Sequence, residues 1–381
     1  MQSKIENQKS KIRVGIIFGG KSGEHEVSLA SAQSVARAID RNKYDVVLLG
    51  VTKEGDWITG DNALKQLAAL SPTPLLAPES DSANGAVSVP MTSAELVPTV
   101  ATTSPLTTID VAFPLIHGPF GEDGTVQGLL ELADIPYVGS GVAASAVGMD
   151  KALMKAVFRA HNLPILDWLV ILRREWQAQP EDTIYRIESA LGYPCFVKPA
   201  NLGSSVGVSR ARDRAELARA LDLAAQYDRK LIAERAAHNA REIECSVLGN
   251  DDPLASIPGE VIPRRAFYDY VAKYASDSGT ALIVPADLPS DLVRAVQEMA
   301  IRAFTAIDAC GMARVDFFLE RGSNKLWVNE INTIPGFTSV SMYPRMWQAS
   351  GLSYADLIDR LIQLALERHA DKRKSKITYE P

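Results

Sequence analysis

The hydrophobic pattern near the N-terminus predicts strands and helices in alternation. Apolar runs cover Val14–Phe18 and Asp45–Thr52, and between them the apolar residues of Glu26–Asp40 recur at helical spacing. Short apolar runs bounded by polar turns are typical of buried parallel strands. A strand, a helix and a strand in this order predict a right-handed βαβ unit.

The alternation continues after a long interruption. Segment 71–109 is rich in Pro, Ser, Thr and Ala without a sustained period, so it predicts a long loop or insertion. The pattern then predicts a buried strand at Asp110–Ile116, a helix at Thr125–Ala133 and a short strand at Ile135–Val138. The small-residue segment 139–148 that follows marks the first predicted domain boundary.

The middle of the chain has a different organisation. Strands are predicted at Cys195–Lys198 and Val206–Arg210, and the loop between them is too short for a crossover connection. These two strands must therefore be antiparallel, which predicts an α+β domain. The other elements predicted here are helices Lys151–His161, Asp182–Leu191 and Arg214–Tyr227 and strand Lys230–Glu234.

The last third of the chain predicts a second α+β unit. A strand at Glu242–Leu248 precedes a long helix at Pro289–Cys310. A hairpin then joins Met312–Leu319 to Lys325–Ile331, and a C-terminal helix at Tyr354–His369 carries one apolar face.

Composition and charge narrow the class of protein. The chain has 381 residues, 46% hydrophobic, which is enough for two or three domains with hydrophobic cores. The net charge is −6, so no nucleic acid or anionic membrane surface is expected as a partner. The N-terminal stretch is polar, and no apolar run approaches the roughly 18 residues of a membrane span.

The three cysteines, Cys195, Cys245 and Cys310, are widely spaced and lie in apolar runs, which is typical of buried thiols in a reducing compartment. Together with the polar N-terminus, these features predict a cytoplasmic protein.

A glycine-rich motif near the N-terminus raises the possibility of a P-loop NTPase. Gly15, Gly20, Lys21 and Ser22 satisfy the pattern G-x-x-x-x-G-K-[ST]. Three of the four intervening positions, however, continue the apolar strand, where bulky side chains prevent the backbone from wrapping around phosphate oxygens. The sequence therefore disfavours a P-loop, which stays open as an alternative.

The C-terminal hairpin carries polar residues on one face. If its turn centres near Ser323, Asp316 lies opposite Glu330, and Asn332 and Arg314 share their face. Carboxylate and amide oxygens suit Mg²⁺, particularly when phosphate supplies further ligands. An ordinary solvated strand face is the alternative.

Another polar segment follows the strand that ends at Lys198. Small residues continue to Gly207 and include Ser204 and Ser205, and such a loop can lie over phosphates while the lysine supplies a charge. A plain turn with an exposed lysine is the alternative.

Four further residues are weaker candidates when each is considered alone. Glu234 and Glu242 could contact a nucleotide, and Lys151 lies at a helix start, where a cation is mildly unfavourable unless an anion is bound. His117 lies at the end of a strand, the edge where open α/β sheets bind ligands. The alternative for each of the four is a surface or structural residue.

The motifs taken in order resemble one family, the D-alanine–D-alanine ligases of the ATP-grasp superfamily. They are GGKSGEHEVSL (19–29), HGPFGEDGTVQG (117–128), MDK (149–151), VKPANLGSSVGV (197–208), REIECSVLG (241–249), FYDYVAKY (267–274), MARVDFF (312–318) and NEINTIPGFTSVSMYP (329–344). Each motif is weak alone, but the ordered set is specific and spans residues 19 to 344.

The resemblance implies the fold and its division into domains. The fold class is α/β plus α+β, with a Rossmann-like N-terminal domain followed by a two-domain ATP-grasp fold. The N-terminal substrate domain is expected at 1–139. The central ATP-grasp domain with a phosphate lid loop is expected at 140–236, and the C-terminal ATP-grasp domain with the metal and acceptor sites at 237–381.

The resemblance also implies the ligands of the site. ATP and two Mg²⁺ ions, with Mn²⁺ as a substitute, are the expected cofactors. The residues implied to bind ATP are Lys151, Lys198, Ser204, Ser205, Glu234, Arg235, Ala237, Glu242 and Phe267. The implied metal ligands are Asp316, Glu330 and Asn332.

Roles in catalysis and substrate binding are implied in the same way. The implied catalytic residues are Glu24, Ser204, Tyr274, Arg314 and Gly336. The implied substrate-binding residues are Glu24, His117, Lys273, Arg314 and Ser341. The chain departs from the family at Glu234-Arg235-Ala236, where many members have Glu-Lys-Trp, so the packing beside adenine is expected to differ.

The implied reaction is ATP-dependent ligation of two D-alanines through a D-alanyl phosphate, which releases ADP and phosphate and serves peptidoglycan precursor synthesis. The stretch 268–281 is expected to close over the site as a lid, and a homodimer is expected. One alternative is a ligase that accepts a D-hydroxy acid, which Tyr274 disfavours. The other is a non-catalytic nucleotide sensor, which should lack one of the hairpin residues.

Overall fold

A computed structural model of the protein describes residues 10–60, 62–70, 109–262, 280–376 and 378. The predicted insertion 71–109, apart from Ile109, lies outside these residues. So do Phe267, Lys273, Tyr274 and most of the predicted lid.

The N-terminal part forms a mostly parallel four-stranded sheet. Its strands are β1 (Ile12–Gly19), β2 (Tyr44–Val51), β3 (Trp57–Thr59) and β4 (Val111–Pro114), in the order β3-β2-β1-β4. Its helices are α1 (His25–Ala38), α2 (Ala63–Leu70) and α3 (Thr125–Leu132). Strand β1 is parallel to β2 and β4, as the βαβ pattern predicts, and β3 is antiparallel to β2.

The prediction of a strand at Ile135–Val138 is wrong. This segment makes one parallel bridge, between Ala112 and Tyr137, and forms no named strand. Pro136 lies in the middle of the segment and has no N–H to donate, which limits the ladder to the bonds around Ala112.

The central part forms an antiparallel sheet. Its strands are β5 (Trp168–Leu172), β6 (Cys195–Pro199), β7 (Ser209–Ala211) and β8 (Lys230–Arg235), in the order β5-β8-β6-β7. The helices before and within it are α4 (Val142–Met149), α5 (Lys151–Ala160), α6 (Arg173–Ala178), α7 (Pro180–Leu191) and α8 (Arg214–Tyr227).

The antiparallel pairing of β6 and β7 confirms the prediction, but β7 begins later than predicted. Ser204, Ser205 and Gly207 have positive φ angles, which keep this stretch out of the extended conformation. The small-residue loop is therefore longer than its sequence pattern indicated.

The C-terminal part is built on a larger antiparallel sheet. Its strands are β9 (Ala240–Gly249), β10 (Leu254–Ala255), β11 (Gly259–Ile262), β12 (Ala281–Ile283), β13 (Gly311–Glu320) and β14 (Leu326–Asn332). The order is β12-β11-β9-β13-β14, with β10 paired to β9. The helices are α9 (Ser290–Ala306), α10 (Met342–Ala349) and α11 (Tyr354–Lys372).

One prediction in this part is confirmed, and the predicted end of one helix is wrong. In the β13–β14 hairpin Asp316 lies opposite Glu330, as predicted, and the register shifts immediately after this pair. The long helix α9 ends at Ala306, four residues before the predicted end at Cys310. Asp308 has a φ of 58°, and a left-handed residue cannot continue the helix.

The hydrophobic cores do not follow the order of the chain. Leu357 and Leu361 of α11 are fully buried in one cluster with Val14 and Phe18 of β1, so the last helix covers the first sheet. Phe158 of α5 is likewise buried in the core of the C-terminal sheet, although α5 precedes the central sheet in the chain.

Within the described ranges, no helix combines the length and the apolar composition needed to cross a membrane.

Candidate active site

A cavity of about 980 Å³ lies where the three sheets meet. Every predicted site residue inside the described ranges lines it. These residues are Glu24, His117, Lys151, Lys198, Ser204, Ser205, Glu234, Arg235, Ala237, Glu242, Arg314, Asp316, Glu330, Asn332, Gly336 and Ser341. Phe267, Lys273 and Tyr274 lie outside the described residues, so their positions stay predictions.

The placement of the first glycine motif excludes the P-loop alternative. Ile16, Ile17 and Phe18 are fully buried in the interior strand β1. Lys21 is exposed and is not part of the cavity lining. The backbone of this motif is therefore committed to a sheet and cannot wrap around phosphates.

Arg314 is the cation on the polar face of the hairpin. Its Nε and Nη2 atoms donate to the two oxygens of Asp316, each at 2.7 Å, and Nε also lies 3.1 Å from Glu244 Oε2. Burial alone would lower the pKa of the guanidinium, but the Asp316 and Glu244 carboxylates raise it well above its usual range. Arg314 is thus a permanent, rigidly held cation that faces the cavity.

The same face has a donor set that fits Mg²⁺. Asp316 and Glu330 are cross-strand partners, and Asn332 Nδ2 lies 3.1 Å from Asp316 Oδ2. The described residues hold no group of three His, Cys, Asp or Glu side chains with metal-binding geometry. Two carboxylates and one amide still match Mg²⁺, which takes few protein oxygens and completes its shell with water and phosphate.

A buried charge cluster forms the floor of the cavity on the central sheet. Glu234 lies on β8, and its Oε2 accepts from Lys198 Nζ of β6 at 2.5 Å, while its Oε1 pairs with Lys155 Nζ of α5. Burial opposes ionisation of Glu234, but the two lysines outweigh it and lower the pKa of the carboxyl. Burial lowers the pKa of Lys155, whereas Glu234 and Glu330 raise that of Lys198 against the effect of burial.

The small-residue loop reaches across the cavity to the N-terminal part of the chain. Ser204 Oγ donates to Glu24 Oε1, and Lys151 Nζ donates to the carbonyl of Leu202 at 2.7 Å. A Cβ on Gly203 would lie 3.1 Å from Glu24 Oε2, so glycine leaves room for this close approach. The loop therefore brings the lysine at the start of α5 and the carboxylate before α1 to the same opening.

His117 is enclosed in a hydrogen-bond network. Its Nδ1 lies 3.0 Å from the carbonyl of Ile334 and its Nε2 lies 3.2 Å from Ser31 Oγ, which accepts from Phe337 N–H. Because a carbonyl only accepts, Nδ1 carries the proton and the Ser31 hydroxyl donates to Nε2. Burial lowers the pKa of His117, so the ring stays neutral and holds segment 334–337 in place.

Gly336 and Ser341 lie at the other side of the cavity. Ser341 Oγ accepts from Thr338 N–H at 3.1 Å and lies 2.7 Å from Thr338 Oγ1. A Cβ on Gly336 would approach Ser341 Oγ to 3.2 Å, so a larger residue would crowd that hydroxyl.

The end of β8 and the residue after it are fixed by backbone hydrogen bonds where they line the cavity. Arg235 N–H donates to Asp167 O at 2.9 Å and Ala236 N–H donates to Pro194 O at 3.2 Å.

Three polar residues that sequence reasoning did not assign belong to the same site. Lys155 follows Lys151 by one helical turn, and Glu244 follows Glu242 on the same strand face, so spacing could have identified both. Glu122 lies in the motif that begins at His117, and it lines the cavity beside Glu24.

The family models and the similar proteins all identify the same enzyme family. A family model described as D-ala D-ala ligase N-terminus matches residues 13–140, and one described as D-ala D-ala ligase C-terminus matches residues 157–363. The D-alanine–D-alanine ligase of Heliobacterium modesticaldum is 49% identical over 366 residues, which covers 96% of this chain and 97% of that protein. The ligase of Bacillus cytotoxicus is 47% identical over 369 residues, covering 97% and 99%.

Solved structures are similar over the same length. The D-alanine-D-alanine ligase from Coxiella burnetii superposes with a TM-score of 0.79 at 36% identity, covering 96% of this chain and 97% of its own. The VanG D-Ala:D-Ser ligase from Enterococcus faecalis also gives 0.79, at 32% identity and coverage of 93% and 99%.

Proposed function

Because the chain belongs to the D-alanine–D-alanine ligase family, we propose that it joins two D-alanine molecules into D-alanyl-D-alanine and converts ATP to ADP and phosphate. One observation carries the proposal. A single cavity brings the cation Arg314, the buried lysine cluster and the Asp–Glu–Asn hairpin face opposite the turn that contains Glu24. Such a site can activate a carboxylate by phosphoryl transfer and hold an amine beside it.

The nucleotide is proposed to lie between the central and C-terminal sheets. Lys151 and Lys198 would neutralise its phosphates, and Asp316, Glu330 and Asn332 would hold Mg²⁺. Bound Mg²⁺ would spread the negative charge of the transferring phosphoryl group. The two antiparallel sheets on either side of the cavity support an ATP-grasp arrangement of the domains 140–236 and 237–381, and the parallel β1–β2–β4 sheet supports a Rossmann-like domain at 1–139.

The carboxylate of the first D-alanine is a poor acyl donor, so it must first be activated. The carboxylate of the first D-alanine would attack the γ-phosphate of ATP and form D-alanyl phosphate as ADP leaves. The neutral amine of the second D-alanine would then attack the acyl carbon, phosphate would leave, and the amine would lose a proton to solvent. Negative charge develops on the carbonyl oxygen in the second step. The fixed guanidinium of Arg314 and the N–H of Gly336 are proposed to stabilise it.

The substrates are proposed to lie between Glu24 and the segment after β14. Glu24 would hold the ammonium group of the first D-alanine, and Ser341 would contact the carboxylate of the second. His117 would hold the neighbouring segments in place and would not bind substrate through its ring nitrogens, because both are bonded within the protein. Phe267, Lys273 and Tyr274 are proposed to complete the adenine and acceptor contacts. A role in peptidoglycan precursor synthesis, a homodimer and a cytoplasmic location are proposed by analogy with the family.

The first test measures phosphate release with ATP and Mg²⁺, with and without D-alanine, and identifies the product by mass. We expect release that depends on D-alanine and a dipeptide product. Arg314→Lys keeps the charge but loses the two-pronged geometry, so kcat should fall by about 10²-fold or more. Arg360→Lys, in the exposed pair with Glu367, should leave kcat unchanged.

Two results would contradict the proposal. One is ATP turnover that ignores D-alanine, and the other is an acceptor preference for D-serine or a D-hydroxy acid over D-alanine. The likeness to the VanG ligase makes D-serine the first competitor to test.

A further inference from the structure

Two carboxylates meet at one glycine in the wall of the cavity. The N–H of Gly118 donates to Glu122 Oε2 at 2.7 Å. On the other side of the same residue, a Cβ would lie 3.0 Å from Glu24 Oε2. Gly118 has a φ of 76°, which favours glycine, and both carboxylates line the cavity. The turn after β4 and the residue before α1 thus bring two acidic groups to the same glycine.

Among the described residues, the groups that act on Glu122 offer little positive charge to balance a second carboxylate. Glu24 faces it from the start of α1, and His117 in its own turn is held neutral by burial. Arg314 faces it from β13 but is already paired with Asp316 and Glu244. Backbone N–H groups of Gly118 and Ile334 favour the ionised form, but burial and the Glu24 carboxylate outweigh them and raise the pKa of Glu122 to about 8.

We propose that Glu24 and Glu122 together bind the ammonium group of an amino-acid substrate, and that Glu122 gives its proton to solvent as the ammonium binds. This inference rests on the proposed function, since it concerns the subsite of the first D-alanine. The O–H bond of Glu122 breaks, the proton passes to water, and the new carboxylate pairs with the ammonium. No other bond changes.

The physical basis is the electrostatics of neighbouring acids. Two carboxylates at one site resist simultaneous ionisation, so one of them retains a proton when the site is empty. A cation between them removes that resistance and favours the doubly ionised pair. An ammonium group has three N–H donors and can therefore bind both carboxylates at once.

The proposal predicts how affinity changes with pH. Binding of D-alanine has to displace a proton below about pH 8, so the apparent Kd should fall about tenfold from pH 6 to pH 7 and about fivefold from pH 7 to pH 8. Above about pH 8.5 it should level off. Equilibrium dialysis with labelled D-alanine measures this on the full chain with saturating Mg²⁺ and ADP, which cannot transfer a γ-phosphoryl group.

Proton release provides a second measurement that needs no variant. With a pH-indicator dye in weak buffer at pH 7, D-alanine added to the same ADP complex should release close to one proton for each molecule bound. A structural carboxylate that only accepts backbone N–H bonds would release none.

Glu122→Gln removes the titrating group and keeps the shape of the side chain. The amide keeps an oxygen for the backbone donors but does not ionise, so affinity at pH 6 should match that of the wild type and should not improve as pH rises. At pH 8.5 the wild type should bind at least about fiftyfold more tightly, because the tenfold and fivefold steps between pH 6 and pH 8 multiply. Asp123→Asn is the matched control, because Asp123 is the neighbouring carboxylate, accepts from Phe120 N–H and is not part of the cavity lining.

The outcomes distinguish this inference from the proposed function. D-alanine binding that is independent of pH, binding without proton release, or an unchanged pH dependence in Glu122→Gln would each overturn the inference alone. No D-alanine binding at any pH would overturn both proposals. If Glu122→Gln does not fold, proton release by the wild type decides.

Discussion

Glu234 shows at the scale of single residues how charge is kept inside the protein. The carboxylate and Lys155 are each only 1% exposed, and Lys198 supplies a second cation at 2.5 Å. A buried ion cluster is stabilised only while each charge has its partners, because the loss of one partner leaves a desolvated charge uncompensated. Lys155 therefore keeps Glu234 ionised and oriented at the cavity floor.

Lys155→Met removes one of these partners while it roughly preserves side-chain volume. We expect the free energy of unfolding to fall by about 3 kcal/mol, in the range found when one member of a buried pair is removed. Denaturant unfolding measures the change. The control is Lys53→Met, whose partner Glu26 lies at 2.6 Å but whose own side chain is 43% exposed, and it should cost less than about 1 kcal/mol. Equal costs for the two variants would contradict this account of Lys155.

At the scale of elements, the β13–β14 hairpin shows how much of the strand pairing a local sequence pattern can predict. Period-two alternation and a turn near Ser323 predicted that Asp316 faces Glu330, and the structure confirms it. The shift in register after this pair was not predicted, and it lies next to the polar face. Because a slip of one strand by one residue would turn its carboxylate to the apolar face and separate the pair, the register decides whether the hairpin can hold a metal ion.

Asp316→Asn tests the hairpin as the metal-binding element. The substitution removes a carboxylate that faces Glu330, so the Mg²⁺ concentration for half-maximal phosphate release should rise about tenfold or more. Initial rates against Mg²⁺ at fixed ATP measure the change. Asp308→Asn is the same substitution at an exposed residue with a φ of 58°, which asparagine also adopts, and its Mg²⁺ dependence should match the wild type. An unchanged Mg²⁺ requirement in Asp316→Asn would rule out this hairpin face as the metal site.

The last helix belongs to the first core when the whole molecule is considered. Helix α11 packs its fully buried leucines against the N-terminal sheet, and Lys43 Nζ donates to Asp359 of this helix at 3.0 Å. Arg368 at its far end donates to the carbonyl of Gly139 at 2.8 Å. The first sheet and the last helix thus share one core, and the cavity lies between that core and the two antiparallel sheets.

Leu361→Ala tests whether α11 stabilises the core of the N-terminal sheet. Leu361 is fully buried, so its truncation should cost about 3 kcal/mol of unfolding free energy through lost burial and the cavity left behind. Leu132→Ala is the matched control, because Leu132 is 89% exposed on α3 and should change stability by less than about 0.5 kcal/mol. If thermal unfolding of the two variants is the same, α11 does not stabilise the N-terminal core in this way.

The sequence by itself determined the features that depend on neighbours in the chain. Periodicity predicted helix Arg214–Tyr227 with the bounds that the structure has, and it predicted the parallel β1–β2 pair and the pairing of Asp316 with Glu330. The ordered motifs predicted many of the polar residues that line the cavity, because such motifs specify residue type at short spacing.

Only the tertiary structure decided the features that depend on distant residues. Ser204 and Glu24 are 180 residues apart and meet by hydrogen bond, and the neutral His117 is bonded to Ser31 and Ile334. The raised pKa of Glu122 depends on burial and on Glu24, which belongs to another part of the chain. Loss of hydration and the approach of like charges are set by the packed fold, so no local pattern could have predicted them.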